Sequence, residues 1–418
     1  MATPVPRRIL PVIVLSQFAG TSPWFAVNAV LPDLQQAWAL PATALASLTS
    51  AVQAGFVAGT LTFALLMLAD RFRATRVFLA CCLLAAACNA AIAGLDGQYH
   101  ALLALRFAVG FLLAGIYPVG MKIAASWYRE GLGAALGVLI GALVVGTALP
   151  HGLRALAGSG AALPSVGGLL PWQTVVLAVS LLAAAGGVAT AWLVPSPQTG
   201  SGVPIRPRAL HVLWSEPRLR ASVFGYFGHM WELYTLYALL PVLIATRFAA
   251  EAVSLLAFAA IAAGAIGCAG GGLLARRFGS ARIAQWQLAT SAACCLAAPW
   301  LLGAPAALFV GWLLLWGTTV VGDSPQFSAL TARNAPPAVV GSVLTFTNSI
   351  GFAISVASIE LFVRLAQALP LASVLPLLAL GPLLGLRALR PLLRPAAVPS
   401  AAPPAVAPAS QPGPPSSS

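Results

Sequence analysis

Twelve long apolar runs, separated by short polar breaks, organise the chain from residue 9 to residue 389. They fall at 9–31, 43–68, 77–95, 99–124, 131–151, 171–194, 219–246, 252–275, 283–301, 305–331, 338–366 and 371–389. A helix that crosses a ~30 Å hydrocarbon core needs ~20 such residues. The pattern therefore predicts an all-α membrane protein with twelve transmembrane helices. One break is long: residues 195–218 (PSPQTGSGVPIRPRALHVLWSEPR) are Pro-rich and basic, and divide the chain near its middle. They are expected to link a six-helix bundle at 1–194 to a second at 219–390. The Pro/Ala/Ser-rich tail, 391–418, has too little apolar surface to fold and is expected to be disordered.

Composition supports lipid as the solvent. Hydrophobic residues make up 60% of the chain and charged residues 7%, against about 25% charged in soluble domains. The net charge of +13 forms no stripe that would suit nucleic acid. With alternate loops placed on opposite sides, 18 basic residues fall on one side, and only Arg154, Arg247 and Arg364 on the other; Arg106 lies within a span. By the positive-inside rule both termini are expected to be cytoplasmic. The expected location is a bacterial inner membrane, multi-pass. No cleavable signal peptide is expected, because the first apolar run is too long and no small-residue cleavage site follows it. The six cysteines, Cys81, Cys82, Cys88, Cys268, Cys294 and Cys295, all lie in apolar runs. They are expected to pack as small hydrophobes, with no metal-ligand spacing and no cofactor.

An internal repeat is visible. LADRFRATR (Leu68 to Arg76) and LARRFGSAR (Leu274 to Arg282) align without gaps, each after the second run of its half. Gly115–Pro118 (GIYP) is echoed by Gly322–Pro325 (GDSP), and Gly131/Gly141 by Gly341/Gly351. Parallel repeats about an axis along the membrane normal mark one class of transporter folds. The loop with Asp70, Arg71 and Arg76 resembles the signature loop of the major facilitator superfamily; Arg73 replaces a Gly that the second copy keeps as Gly279. Arg106, four residues before Gly110, is similar to that superfamily's second motif. GYFGHMWELY (Gly225 to Tyr234) and GDSPQFSAL (Gly322 to Leu330) are similar to permeases grouped with cyanate and nitrate/nitrite carriers, although the intramembrane arginines of nitrate carriers are missing. The resemblance implies two six-helix repeats, with spans 1, 4, 7 and 10 lining a central cavity.

Ionisable groups inside a bilayer are costly, and mark functional candidates. Arg106, Glu232, Asp323 and Glu360 qualify. In span 7, Ser222, Tyr226, His229, Glu232 and Tyr237 share one helical face. Glu232 sits near the midplane of the span and is the first candidate to load and release a proton, with His229 one turn away. The alternative is a Glu that fixes helix packing. Asp323 lies beside Gly322 and Pro325, which suggest a locally broken helix lining a cavity; a gate clamp is the alternative. Arg106 is expected to couple or pair helices rather than touch solute. Trp24 and Tyr117 are expected to shape the pocket, and Glu360 with Arg364 to form a local i,i+4 pair. The resemblance gives Asp70, Arg71, Arg76, Arg277 and Arg282 a gating role, through charge pairs between the halves.

The chain is thus expected to be no enzyme but a secondary transporter. It would move a small organic or anionic solute by alternating access, most simply in symport with protons, and as a monomer. A drug or metabolite exporter of the same fold is the alternative. A polytopic membrane enzyme would need a nucleotide or zinc motif, and no Gly-x-Gly-x-x-Gly, Gly-Lys-Ser/Thr or His-Glu-x-x-His string is present.

Overall fold

In a computed structural model, residues 6–128, 132–156, 170–195, 211–337 and 339–394 are described. Twelve long helices run in chain order: α1 Ile9–Trp38, α2 Ala44–Leu65, α3 Ala74–Gly94, α4 Tyr99–Trp127, α5 Leu132–Ala155 and α6 Trp172–Leu193. They continue with α7 Pro217–Ala245, α8 Ala250–Phe278, α9 Ser280–Leu301, α10 Ala306–Asn334, α11 Val340–Ala368 and α12 Leu371–Leu393. Ten are apolar enough to span a membrane on composition alone. The other two, α7 and α9, are as long but carry more polar side chains, among them Arg218, Arg220 and Glu232 on α7 and Arg282, Gln285 and Gln287 on α9. The outer surface of the bundle is apolar: Leu181, Trp192, Ile266 and Trp300 are 72, 83, 70 and 75% exposed. Such a belt suits contact with lipid rather than water.

Two expected boundaries shift. The last helix continues through Pro391 to Leu393, past the expected start of the tail, because the pattern at Leu389 and Leu392 still buries apolar side chains. Helix α7 begins at Pro217, inside the expected linker, since Pro is compatible with a first helical turn. Residues 196–210 of that linker, and the tail beyond 394, lie outside the described residues.

Three spans are broken where the sequence places Gly or Pro. Helix α1 passes through a 3₁₀ turn at Ser22–Phe25, α4 is interrupted between Leu113 and Tyr117, and α10 breaks at Asp323 between Gly322 and Ser324. Each break frees backbone groups near the middle of the bundle.

The internal repeat reappears as packing. A Cβ on Gly110 of α4 would lie 1.9 Å from the Val52 carbonyl oxygen of α2. A Cβ on Gly317 of α10 would lie 1.8 Å from the Ala260 carbonyl oxygen of α8. In both places two backbones touch directly, the close approach that small residues permit in membrane bundles. Between the first six and the last six spans, α5 packs along α8 and α2 along α11.

Candidate functional site

The centre of the bundle is an aromatic layer. Trp24, at the 3₁₀ turn of α1, stacks on Tyr234 of α7, with ring centroids 5.8 Å apart at 14°. It also stacks on Phe352 of α11 at 5.7 Å. Phe56 of α2 closes on Phe352 at 4.4 Å and faces Tyr117 of α4 at 6.4 Å. Rings from both sets of six spans therefore meet at one level. Arg106 of α4 holds Trp24 in place: fully buried, it donates from Nη1 to the Pro23 carbonyl (2.9 Å) and from Nη2 to the Trp24 carbonyl. Arg106 thus ties α4 to the 3₁₀ turn of α1, where the Pro23 carbonyl also accepts from the Ala26 N–H. The Arg106 Nε has no hydrogen-bond partner among the described residues.

One helical turn from this layer lies the pair His229–Asp323. His229 Nδ1 of α7 approaches Asp323 Oδ1 of α10 to 2.8 Å, and each side chain is 1% exposed. Asp323 stands at the α10 break; the contact is an ion-pair approach, and neither ring nitrogen of His229 nor either carboxyl oxygen of Asp323 makes a well-aligned hydrogen bond. Tyr226 flanks the imidazole, with ring centroids 5.6 Å apart, and also lies against Gly351 of α11. A buried carboxyl and imidazole with spare valences can exchange a proton, and can release it when water or a solute reaches them.

Glu232 is placed differently from the expectation. Its Oε1 accepts from Ser291 Oγ (2.6 Å) and Cys295 Sγ (3.1 Å) of α9, and from Trp316 Nε1 (2.5 Å) of α10. Three residues along α7 turn the side chain by about 60°, enough to send His229 toward Asp323 and Glu232 toward α9. The expected Glu232–His229 partnership is thus replaced by two separate contacts. Cys295, expected only to pack, is a donor to a carboxylate.

Asp70 Oδ1 lies 2.5 Å from Lys122 Nζ, which also donates to the Ala69 carbonyl at 2.6 Å. This pair lies within the first six spans, not between the halves. Arg71 and Arg76 have no ion-pair partner among the described residues, nor does Arg282; Arg277 lies over the ring of its neighbour Phe278 at 5.2 Å. A cleft of about 170 Å³ beside Asp70 and Lys122 separates Thr60 and Phe63 of α2 from Thr345 of α11. At the opposite, arginine-poor end the two sets of spans touch: Gln367 Nε2 of α11 donates to the Ala42 carbonyl at 2.7 Å. There Asp33 of α1 also pairs with Arg154 of α5. The two sets of spans thus touch at the arginine-poor end and are parted by a cleft at the other.

Sequence reasoning missed Lys122, Asp33 and the α9 donors. Lys122 carried a signal, being the single lysine of the chain; Ser291 and Cys295 carried none. Glu360 and Arg364 pair at 3.4 Å, as their i,i+4 spacing predicts. No group of three or more His, Cys, Asp or Glu side chains suited to a metal occurs among the described residues.

The fold is similar to a bacterial homologue of the human lysosomal transporter Spinster, in an inward-facing, unoccupied conformation. The identity is 15%, the TM-score 0.68, and the match covers 94% of this chain and 98% of that one. It is also similar to the human organic anion transporter MFSD10, at 17% identity and TM-score 0.67 over 93% of this chain and 100% of that one. For the nucleoside transporter NupG the figures are 12%, 0.69, 92% and 100%. No curated protein matches by sequence. The description "Major Facilitator Superfamily" fits residues 13–359, most of the chain and nearly all of its spans. With twelve helices, two echoing glycine contacts and a midplane where both sets of spans meet, the chain belongs to the Major Facilitator Superfamily of membrane transporters.

Proposed function

We propose that this chain is a proton-coupled carrier of a small organic solute, in which the His229–Asp323 pair loads and releases the proton. The pair itself carries the proposal: an acid and a base 2.8 Å apart, buried, joining α7 to the broken α10, with unpartnered atoms on both. The aromatic layer beside it offers ring faces to a solute. Both guanidiniums buried among the described residues hold partners already, Arg106 two carbonyls and Arg154 the Asp33 carboxylate. A small inorganic anion such as nitrate or cyanate would want one of them free, so an organic solute is favoured. Proteoliposomes under a proton gradient test the proposal, using the first ligand from a thermal-shift panel of nucleosides, organic anions and amphiphilic drugs. Uptake that ignores the gradient would reject it.

The carrier is taken to be a monomer in a bacterial inner membrane, with the arginine-rich end in the cytoplasm. A single cysteine at Ser201, in an otherwise cysteine-free protein, should resist impermeant maleimide in intact cells and react after lysis. Labelling of intact cells would reverse the topology.

The two bundles, 1–194 and 219–390, are proposed to rock about the aromatic layer. When the arginine-rich end closes, Asp70 leaves Lys122 for a partner on the other bundle. Asp70→Asn should therefore slow transport several-fold with normal expression, the loss of one partly exposed pair being worth about 1 kcal/mol. Wild-type turnover in the mutant would remove Asp70 from the gate.

A further inference from the structure

A second recess lies away from the centre of the bundle. A cleft of about 510 Å³ opens at the arginine-rich end, between the end of α2 and the start of α3. Its floor is apolar (Phe63, Val77, Ala80 and Cys81) and its rim carries Arg71, Arg73 and Arg76. All three arginines are exposed, and no carboxylate pairs with any of them among the described residues. The nearest acid, Asp70, is held by Lys122 on the side away from this rim. Next to the rim, Leu65 and Phe72 are 61 and 58% exposed, as surface buried in acyl chains would be.

The rim is built from a residue particular to this copy of the motif. Arg73 takes an ordinary backbone conformation, φ −58° and ψ 120°. Its counterpart Gly279 sits at φ +82°, a left-handed conformation that disfavours a side chain. The first copy of the loop can therefore present a third guanidinium where the second cannot. Three cations at the depth where spans end, over a slot lined by Phe63, Val77 and Ala80, match one chemistry: a phosphate ester attached to an acyl chain.

We infer that this cleft binds an anionic phospholipid of the surrounding membrane, its phosphate against Arg71, Arg73 and Arg76 and one acyl chain along Phe63, Val77 and Ala80. The guanidinium fork suits a phosphate, and basic residues near a leaflet surface attract anionic lipid. The occupant is a lipid rather than a soluble phosphate, because the floor below the arginines is apolar and the flanking side chains already face acyl chains.

Native mass spectrometry of the delipidated full chain tests this with dioleoylphosphatidylglycerol and dioleoylphosphatidylcholine as probes. The wild type should retain phosphatidylglycerol in preference to phosphatidylcholine. Arg73→Gln should weaken phosphatidylglycerol retention about fivefold and leave phosphatidylcholine unchanged. Ala80→Trp, which fills the slot without touching a charge, should also reduce phosphatidylglycerol retention. Both positions are exposed, so gel filtration should show both variants folded. Equal retention of the two lipids by the wild type would overturn the site, as would wild-type phosphatidylglycerol binding in both variants. Displacement of the lipid by an equal concentration of glycerol 3-phosphate would show a soluble-phosphate site, and overturn it too.

Discussion

Asp323→Asn is expected to abolish proton-driven accumulation completely while leaving solute counterflow in place. An amide at this position keeps the volume and one acceptor oxygen but cannot gain or lose a proton at operating pH. The carrier can still change face with the site permanently neutral, so exchange of labelled for unlabelled solute continues. Glu232→Gln should behave differently. The amide retains the oxygen that accepts from Ser291, Cys295 and Trp316, and coupling should stay near wild type. Glu232→Ala removes that acceptor and leaves three buried donors unpaired, at about 1–3 kcal/mol for each unsatisfied group. It should lower the thermal midpoint without altering the stoichiometry of whatever protein stays folded. The sequence ranks Glu232 ahead of Asp323; the proposed function ranks Asp323 first, and these two variants decide between them. Accumulation against a gradient by Asp323→Asn, with wild-type pH dependence, would place the proton elsewhere.

The second large effect is on folding. Gly110→Leu and Gly317→Leu should each eliminate folded protein, because the first carbon of the new side chain already falls within 2 Å of a carbonyl oxygen on the facing helix. Backbone cannot yield there as a flexible side chain would. Overpacking in cores costs about 1–3 kcal/mol or more, and here the α2–α4 or α8–α10 contact must separate along its length. Even Ala should lower the thermal midpoint at both sites. Gly311→Ala, on the same α10 but with nothing within 4 Å of the added carbon, should be neutral or slightly stabilising, since Ala is the better helix former. Size-exclusion yield and thermal midpoint read all of these. Normal yields for both Leu variants would mean that the α2–α4 and α8–α10 backbones do not touch.

The spans were legible because lipid imposes one requirement on every residue of a run, and a length of about 20 apolar positions satisfies it. The breaks were legible at Gly322–Pro325, where two residues disfavour the helix together. The break at Ser22–Phe25 was not read, although Gly20 and Pro23 flank it, because a single Pro near Gly is tolerated in a membrane helix. The site was legible as a set of candidates, not as contacts. Helical periodicity puts His229 and Glu232 on one face, but an arc of 60° spans two neighbouring helices, and only tertiary packing decides which acid meets the imidazole. Lys122 and Asp70 are 52 residues apart, with no local pattern relating them. The repeat did more than expected in one respect: aligning the halves pairs Gly110 with Gly317, two close contacts that composition alone would pass over.

Alternating access is the central claim, and paired distance measurements test it even before a solute has been identified. Spin labels at Ala42 and Gln367 report the arginine-poor end, where the two bundles touch. Labels at Leu66 and Gly341 report the other end, next to the cleft bounded by Thr60, Phe63 and Thr345. In a protein freed of its native cysteines and reconstituted in lipid, double electron–electron resonance should resolve two populations. As pH is varied, the 42–367 distance should lengthen in step with a shortening of the 66–341 distance, and Asp323→Asn should hold the ratio fixed. Two distances that stay constant, or that lengthen together, would contradict a carrier that opens one end at a time.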